Sequence, residues 1–197
     1  MADIASLVRG IEFNQDSIAG IELTTYKKIW NRPTFFSKEK NGFPARNFIP
    51  TKAGEFVEEQ MYIAAGLLEL GVSEGDFVAV YAPNSLRHAV EIFAILSIGA
   101  VYVPVYPTLP TDMVWSLLTH CEPKFMFVGG LGQYQRALPL LNRIKSPLRK
   151  IITNVPVQTQ APNAITYEIL LNMGQQSKRI DEVIKRIQNT KKDDIAS

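Results

Sequence analysis

The chain has 197 residues, 46% of them hydrophobic and 20% charged, with a formal net charge of +2. That length can bury a core, the composition is that of an ordinary globular protein, and the charge is too small to argue for a nucleic-acid partner. A single cysteine, Cys121, excludes an internal disulfide framework and suits a reducing compartment, so a cytoplasmic location is expected.

The N-terminal MADIASLVRG has no basic segment leading into an apolar one and does not read as a signal peptide. Residues 1–33 are weakly patterned. Within them Ile21–Trp30 reads as a short helix with Leu23, Tyr26 and Trp30 roughly on one side. Thr34–Lys38 and Arg46–Pro50 flank Asn41-Gly42, a strong hairpin signal, and Pro44 inside one arm marks the hairpin as peripheral. Phe35, Phe36, Phe43 and Phe48 lie among Lys38, Lys40 and Arg46. Strand alternation with one packed and one solvated face accounts for the mixture; a membrane-surface or nucleic-acid role is the alternative. Residues 1–50 therefore form an N-terminal segment carrying a hairpin, and 51–197 an α/β unit.

Thr51 is expected to cap a helix with Phe56, Ile63, Leu67 and Leu70 at helical spacing, stopped by Gly71. Phe77–Tyr81 then reads as a strand and Leu86–Ile98 as a helix in which only Arg87, His88, Glu91 and Ser97 are clearly polar. Gly99 ends that helix, and Val101–Val105 is a second apolar strand. Two buried strands joined by a buried helix make a parallel βαβ crossover. A buried crossover explains the apolar run Ala89–Tyr106 better than a membrane span does, since Glu91, Gly99 and Pro104 interrupt it. Next come a helix capped by Thr111, a strand at Lys124–Val128, a helix at Gln133–Ile144 and a strand at Lys150–Asn154. Thr166–Met173 and Ser177–Gln188 look helical, the second with Ile180, Val183, Ile184 and Ile187 as its buried stripe. The expectation is an α/β fold: an open, mostly parallel, doubly wound sheet with helices on both faces, plus a peripheral N-terminal β-hairpin.

Few residues suggest chemistry. Gly129-Gly130-Leu131-Gly132 lies between a strand and a helix, but Gln135 stands where a dinucleotide fingerprint needs its third glycine. No carboxylate follows about 20 residues on, so a tight turn is the reading kept. His88, His120 and Cys121 are the only histidines and cysteine. They lack metal-ligand spacing and are assigned surface or capping roles. No Walker phosphate loop, G-x-S-x-G elbow or H-E-x-x-H motif is present. No catalytic and no metal-binding residue is therefore assigned. Between Asn142 and Ser197 the charge is +5, against −3 for the rest. This is a solvated basic face or a patch that steers a polyphosphate ligand.

The run AAGLLELGVSEGDFVAVYAPNSLRHAVEIFAILSIGAVYVPVYPTLP resembles the adenylate-forming superfamily of acyl-CoA synthetases, luciferases and peptide-synthetase adenylation domains. The resemblance extends from about Thr34 to the last residue. Val103–Thr108 is more similar to the long-chain fatty acyl-CoA synthetases, because peptide-synthetase modules tend to carry Asp where Tyr106 stands. In that family an Asp-Asp-x-Ala segment leads into the loop that cradles the ATP phosphates, and Lys192-Asp193-Asp194-Ile195-Ala196 matches the lead-in. The resemblance thus implies the N-terminal part of a larger ligase, ending before the ATP phosphate loop. That enzyme would use ATP, Mg²⁺ and CoA to activate a fatty acid through an acyl-adenylate. The 197 residues alone are expected to be inactive and to hold no cofactor tightly.

By family position, Tyr106, Pro107 and Thr108 fall near the CoA adenine and Arg136 near a CoA phosphate. An aromatic edge and a guanidinium suit those groups. The expected partners are the fatty acid and the remainder of the chain, and the resemblance is compatible with a homo-oligomer or peripheral membrane association. The rival readings are a free-standing flavodoxin-like binding module and a partner-binding protein complete at 197 residues.

Overall fold

The computed structural model describes residues 3–40, 43–143, 145–155, 163–191, 193–194 and 196. The hairpin turn expected at Asn41-Gly42, the helix end expected at Ile144, and Lys192, Ile195 and Ser197 of the final segment lie outside them. The chain order is α1 (Ile4–Gly10), α2 (Ile18–Tyr26) with a 3₁₀ turn at Lys27–Ile29, β1 (Pro33–Lys40), β2 (Phe43–Lys52) and α3 (Ala53–Glu69). Then come β3 (Phe77–Tyr81), α4 (Leu86–Ser97), β4 (Val101–Val105), α5 (Thr111–Cys121), β5 (Phe125–Val128) and α6 (Leu131–Leu141). The chain closes with β6 (Lys150–Thr153), β7 (Ala164–Thr166), α7 (Tyr167–Gln176) and α8 (Ile180–Asn189).

The four expected strands lie in one sheet, all parallel, in the order β4-β3-β5-β6-β7. The fifth strand, β7, was not anticipated. Its last residue, Thr166, also caps α7 by accepting from the Ile169 N–H at 3.3 Å, so strand and helix abut with no turn signal between them. Alternation along the strands sends Val78, Val80, Phe125, Phe127 and Ile152 to one face and Ala79, Tyr81, Val103, Met126, Val128 and Ile151 to the other. The first face is covered by α4 and α7, the second by α5 and α6. Helix α3 forms an outer layer over α4 and α7, with α1, α2 and α8 around it. That position explains why its buried residues are not confined to one stripe. It crosses α7 closely: a Cβ on Gly174 would lie 1.7 Å from the Tyr62 carbonyl oxygen.

Local signals set several ends. Ser85 Oγ caps α4 through the His88 N–H at 3.1 Å. Gly71 and Gly99 take positive φ (+87° and +72°), and the N–H groups of Val72 and Ala100 reach back to Leu67 and Ile95 in Schellman caps. Two expected caps are corrected. Thr51 lies within β2, and the start of α3 is held by Glu55, whose carboxylate accepts from the Lys52 N–H at 2.8 Å. Thr111 follows Pro110 as the first helical residue and makes no side-chain cap bond. The helix expected from Gln133 begins at Leu131, the one expected from Ile21 begins at Ile18, and α1 carried no recognised signal.

The hairpin is antiparallel, with Phe36 opposite Pro50 and Ser37 opposite Ile49. Phe35 stacks on Phe56 of α3 at 4.4 Å and meets Tyr26 of α2 edge-on at 5.8 Å. Phe93, in the middle of the mostly apolar α4, is only partly buried, edge-on to Phe56 at 5.9 Å. Val90, Ala94 and Ile95 of the same helix are fully buried instead. Ile95→Ala should therefore cost more stability than Phe93→Ala, about 3 kcal/mol against about 1–2 kcal/mol in denaturant melts.

Glu22 of α2 is 6% exposed and accepts from Gln60 Nε2 at 3.1 Å. The same amide donates to Ser97 Oγ at 2.9 Å, joining α2, α3 and α4. Burial pushes the Glu22 carboxyl from 4.5 up to about 8, and the Gln60 hydrogen bond opposes that only in part. The folded state thus holds the proton more tightly than the unfolded chain. The contribution is complete below about pH 4.5 and is lost as pH rises through about 8. Stability should fall by a few kcal/mol across that window, roughly 1.4 kcal/mol per pH unit at most, and Glu22→Gln should flatten the fall. Urea midpoints measured between those limits check it.

Candidate functional site

All five parallel strands end at one edge, where the turns leading into α4, α5 and α6 collect. Open parallel sheets bind ligands at this edge, at the point where successive helices leave for opposite faces. Here that point lies between β3, which leads to α4, and β5, which leads to α6. The two turns touch: the Gly129 N–H donates to the Tyr81 carbonyl at 3.0 Å, and a Cβ on Gly129 would lie 2.4 Å from Ala82 Cβ. Gly129 therefore serves close packing of two turns.

Beside that contact lies a knot of three elements. Tyr81, at the end of β3, is fully buried, and its hydroxyl donates to the Leu109 carbonyl at 2.5 Å. The same oxygen accepts from Arg136 Nε on α6 at 2.7 Å. Arg136 Nη2 and Gln133 Nε2 each donate to the Pro107 carbonyl at 3.0 Å. The structure thus brings Arg136 to the loop carrying Tyr106, Pro107 and Thr108, the four residues singled out in the sequence. Tyr106 is 76% exposed and Thr108 is exposed, so neither is packing material. Arg136 is half-buried, and its Nη1 hydrogens bond to no described residue. A pinned loop with an exposed phenol, a hydroxyl and partly committed guanidinium donors can bind an aromatic ring and an anion. It offers no nucleophile paired with a base.

A second cluster, on the other face, went unrecognised in the sequence. Arg87 of α4 is buried, with Nη1 donating to the Asn154 carbonyl at 2.8 Å and Nη2 to Glu168 at 2.7 Å. Its guanidinium lies 4.4 Å from the Tyr167 ring, whose hydroxyl donates to Glu59 at 2.7 Å. Burial and the nearby Glu59 and Glu91 carboxylates push the Tyr167 phenol well above its usual range. Asn154 Nδ2 donates to the buried Glu91 at 2.5 Å. The one local signal was an Arg and a Glu four residues apart, one helical turn, in a mostly apolar helix.

His88, expected at the surface or in a cap, is instead half-buried beside Tyr102, Nε2 to Oη 3.0 Å, and burial lowers its pKa. His120 is exposed and Cys121 partly buried. Among the described residues three cations of the basic tail are ion-paired: Arg143 with Asp112, and Arg179 and Arg186 both with Glu182, while Arg186 also donates to the Ile98 carbonyl. Among the described residues no group of three or more His, Cys, Asp or Glu could hold a metal ion. Near the end of the chain, the Ala196 carbonyl accepts from the Tyr102 N–H at 3.0 Å on the outer edge of β4.

Comparison with known proteins gives the site a context. Residues 53–197 match the AMP-binding enzyme family. The Arabidopsis thaliana protein named "Probable acyl-activating enzyme 22" is 27% identical over 167 residues, covering 79% of this chain and 31% of that protein. The peroxisomal butyrate–CoA ligase of the same plant is 27% identical over 168 residues, covering 79% and 29%. A benzoate CoA ligase structure from Burkholderia xenovorans LB400 superposes with a TM-score of 0.62 at 17% identity, over 79% of this chain and 28% of that one. The chain therefore spans less than a third of the length of these proteins.

Removing the buried cation tests the second cluster. Arg87→Met would strip Glu168 and the Asn154 carbonyl of their donor, at about 2–3 kcal/mol once the half-exposure of Glu168 is discounted. Glu168→Gln should cost about 1 kcal/mol or less. Equal losses in denaturant melts would contradict the assigned burial.

Proposed function

The chain belongs to the AMP-binding enzyme family, and from that premise we propose that it is the N-terminal part of an ATP-dependent, AMP-forming long-chain fatty acyl-CoA ligase. The observation that carries the reading is the match over residues 53–197, which runs through the whole parallel sheet. The relatives act on different acids by name, butyrate in one and benzoate in another, so the long-chain preference rests on the resemblance of Val103–Thr108 alone.

In the proposed reaction a carboxylate oxygen attacks the α-phosphorus of ATP, and the bond to pyrophosphate breaks. The CoA sulfur then attacks the acyl carbon, loses its proton, and AMP leaves with the electron pair of the broken C–O bond. The first step requires charge neutralisation on phosphate oxygens by Mg²⁺ and donors. Residues 1–197 contribute scaffold and, in this proposal, one wall of the CoA nucleotide site. Arg136 would meet a phosphate with its Nη1 donors while Nε and Nη2 hold the loop, and Tyr106 and Thr108 would lie against the adenine.

Isolated residues 1–197 should not exchange pyrophosphate into ATP with any fatty acid, whereas a longer protein carrying the phosphate loop should. In that protein Arg136→Ala should raise the KM for CoA about ten- to a hundredfold, the worth of one charged phosphate contact, and leave adenylation intact. Tyr81→Phe, which frees Arg136 from β3 but keeps the cation, should move it far less. Pyrophosphate exchange by the short chain would overturn the reading, and an unchanged KM would overturn only the role of Arg136.

A further inference from the structure

The inner face of the hairpin is accounted for by Phe35 against Phe56 and Tyr26, but its outer face is not built like a solvated one. Sheets with one wet face alternate apolar-in with polar-out. Here Phe36 and Phe48 are 63% and 62% exposed, Phe36 stands opposite Pro50, and the Lys38 ammonium lies 4.9 Å over the Phe48 ring. Lys38, Arg46, Pro50 and Lys52 are exposed as well. Among the described residues Lys38, Arg46 and Lys52 form no ion pair.

We propose that this outer face, Phe36 and Phe48 ringed by Lys38, Arg46 and Lys52, docks on an anionic lipid bilayer. The charge is complementary to anionic headgroups, and aromatic rings next to cations are the composition that enters the headgroup boundary. A stable protein interface takes roughly 800 Å² from each partner with matched shapes. A bilayer demands no shape match. Among the described residues no helix is long and apolar enough to cross a membrane, so the contact is a surface one. The inference is independent of the ligase reading and stands or falls separately.

The test is co-sedimentation with vesicles of phosphatidylcholine alone or with roughly one-third phosphatidylglycerol. It is run on the 197-residue chain and on the longer protein. Both should bind the anionic vesicles, less so as salt rises, and neither should bind the neutral ones. Phe36→Ser with Phe48→Ser should weaken binding about tenfold or more, as should Lys38→Glu with Arg46→Glu. Thermal melts of both variants should match the parent, because these side chains are exposed. Binding that survives both double substitutions would overturn the proposal. So would binding by the short chain alone, which would mean that the rest of the protein covers this face. Binding to an oligonucleotide in preference to vesicles would also overturn it.

Discussion

The site depends on one buried phenol. Tyr81 ends the strand that lies between β4 and β5, and its hydroxyl has two partners on different elements, the Leu109 carbonyl and Arg136. A buried hydroxyl that lost both would leave an unsatisfied oxygen in a low-dielectric interior, so the loop after β4 and helix α6 are bound to each other through β3. The exposure of Tyr106 follows. Its neighbour Pro107 is held by Arg136 and Gln133, which fixes the loop with the Tyr106 ring in solvent.

The second constraint is the parallel sheet itself, which must be covered on both faces. On one side two helices suffice. On the other, α3 adds an outer layer and so is apolar on more than one side, with Gly66 and Gly174 permitting its approach to α7. The hairpin and the N-terminal helices then cover α3, and that leaves the outer face of the hairpin to the surroundings.

Two buried charge problems are solved in opposite ways. Arg87 is matched by a carboxylate, a carbonyl and an aromatic face within reach. Among the described residues Glu22 accepts from a neutral amide and forms no ion pair, and burial favours its protonated form. The first braces α4 against the segment after β6 and against α7, and the second is a brace between α2 and α3 that weakens as pH rises.

The elements whose instructions lie within a few residues were legible in the sequence: the apolar strands, the glycine stops at Gly71 and Gly99, and the stripe of α8. So were the fold class and the family resemblance, both of which depend on the order and spacing of those same elements. The misplaced caps at Thr51 and Thr111 show the limit of local rules, since each competes with a neighbour: the strand that runs through to Lys52, and Pro110. Strand β7 lacked a turn to announce it. What tertiary structure alone decided are the contacts that join residues far apart in the chain: Arg136 to Tyr81 across 55 positions, Arg87 to Asn154 across 67 and to Glu168 across 81. An arginine on a helix carries no mark of which carbonyl it will meet. Only the parallel crossover, by gathering every strand end at one edge, sets Arg136 and the loop of Tyr106, Pro107 and Thr108 side by side.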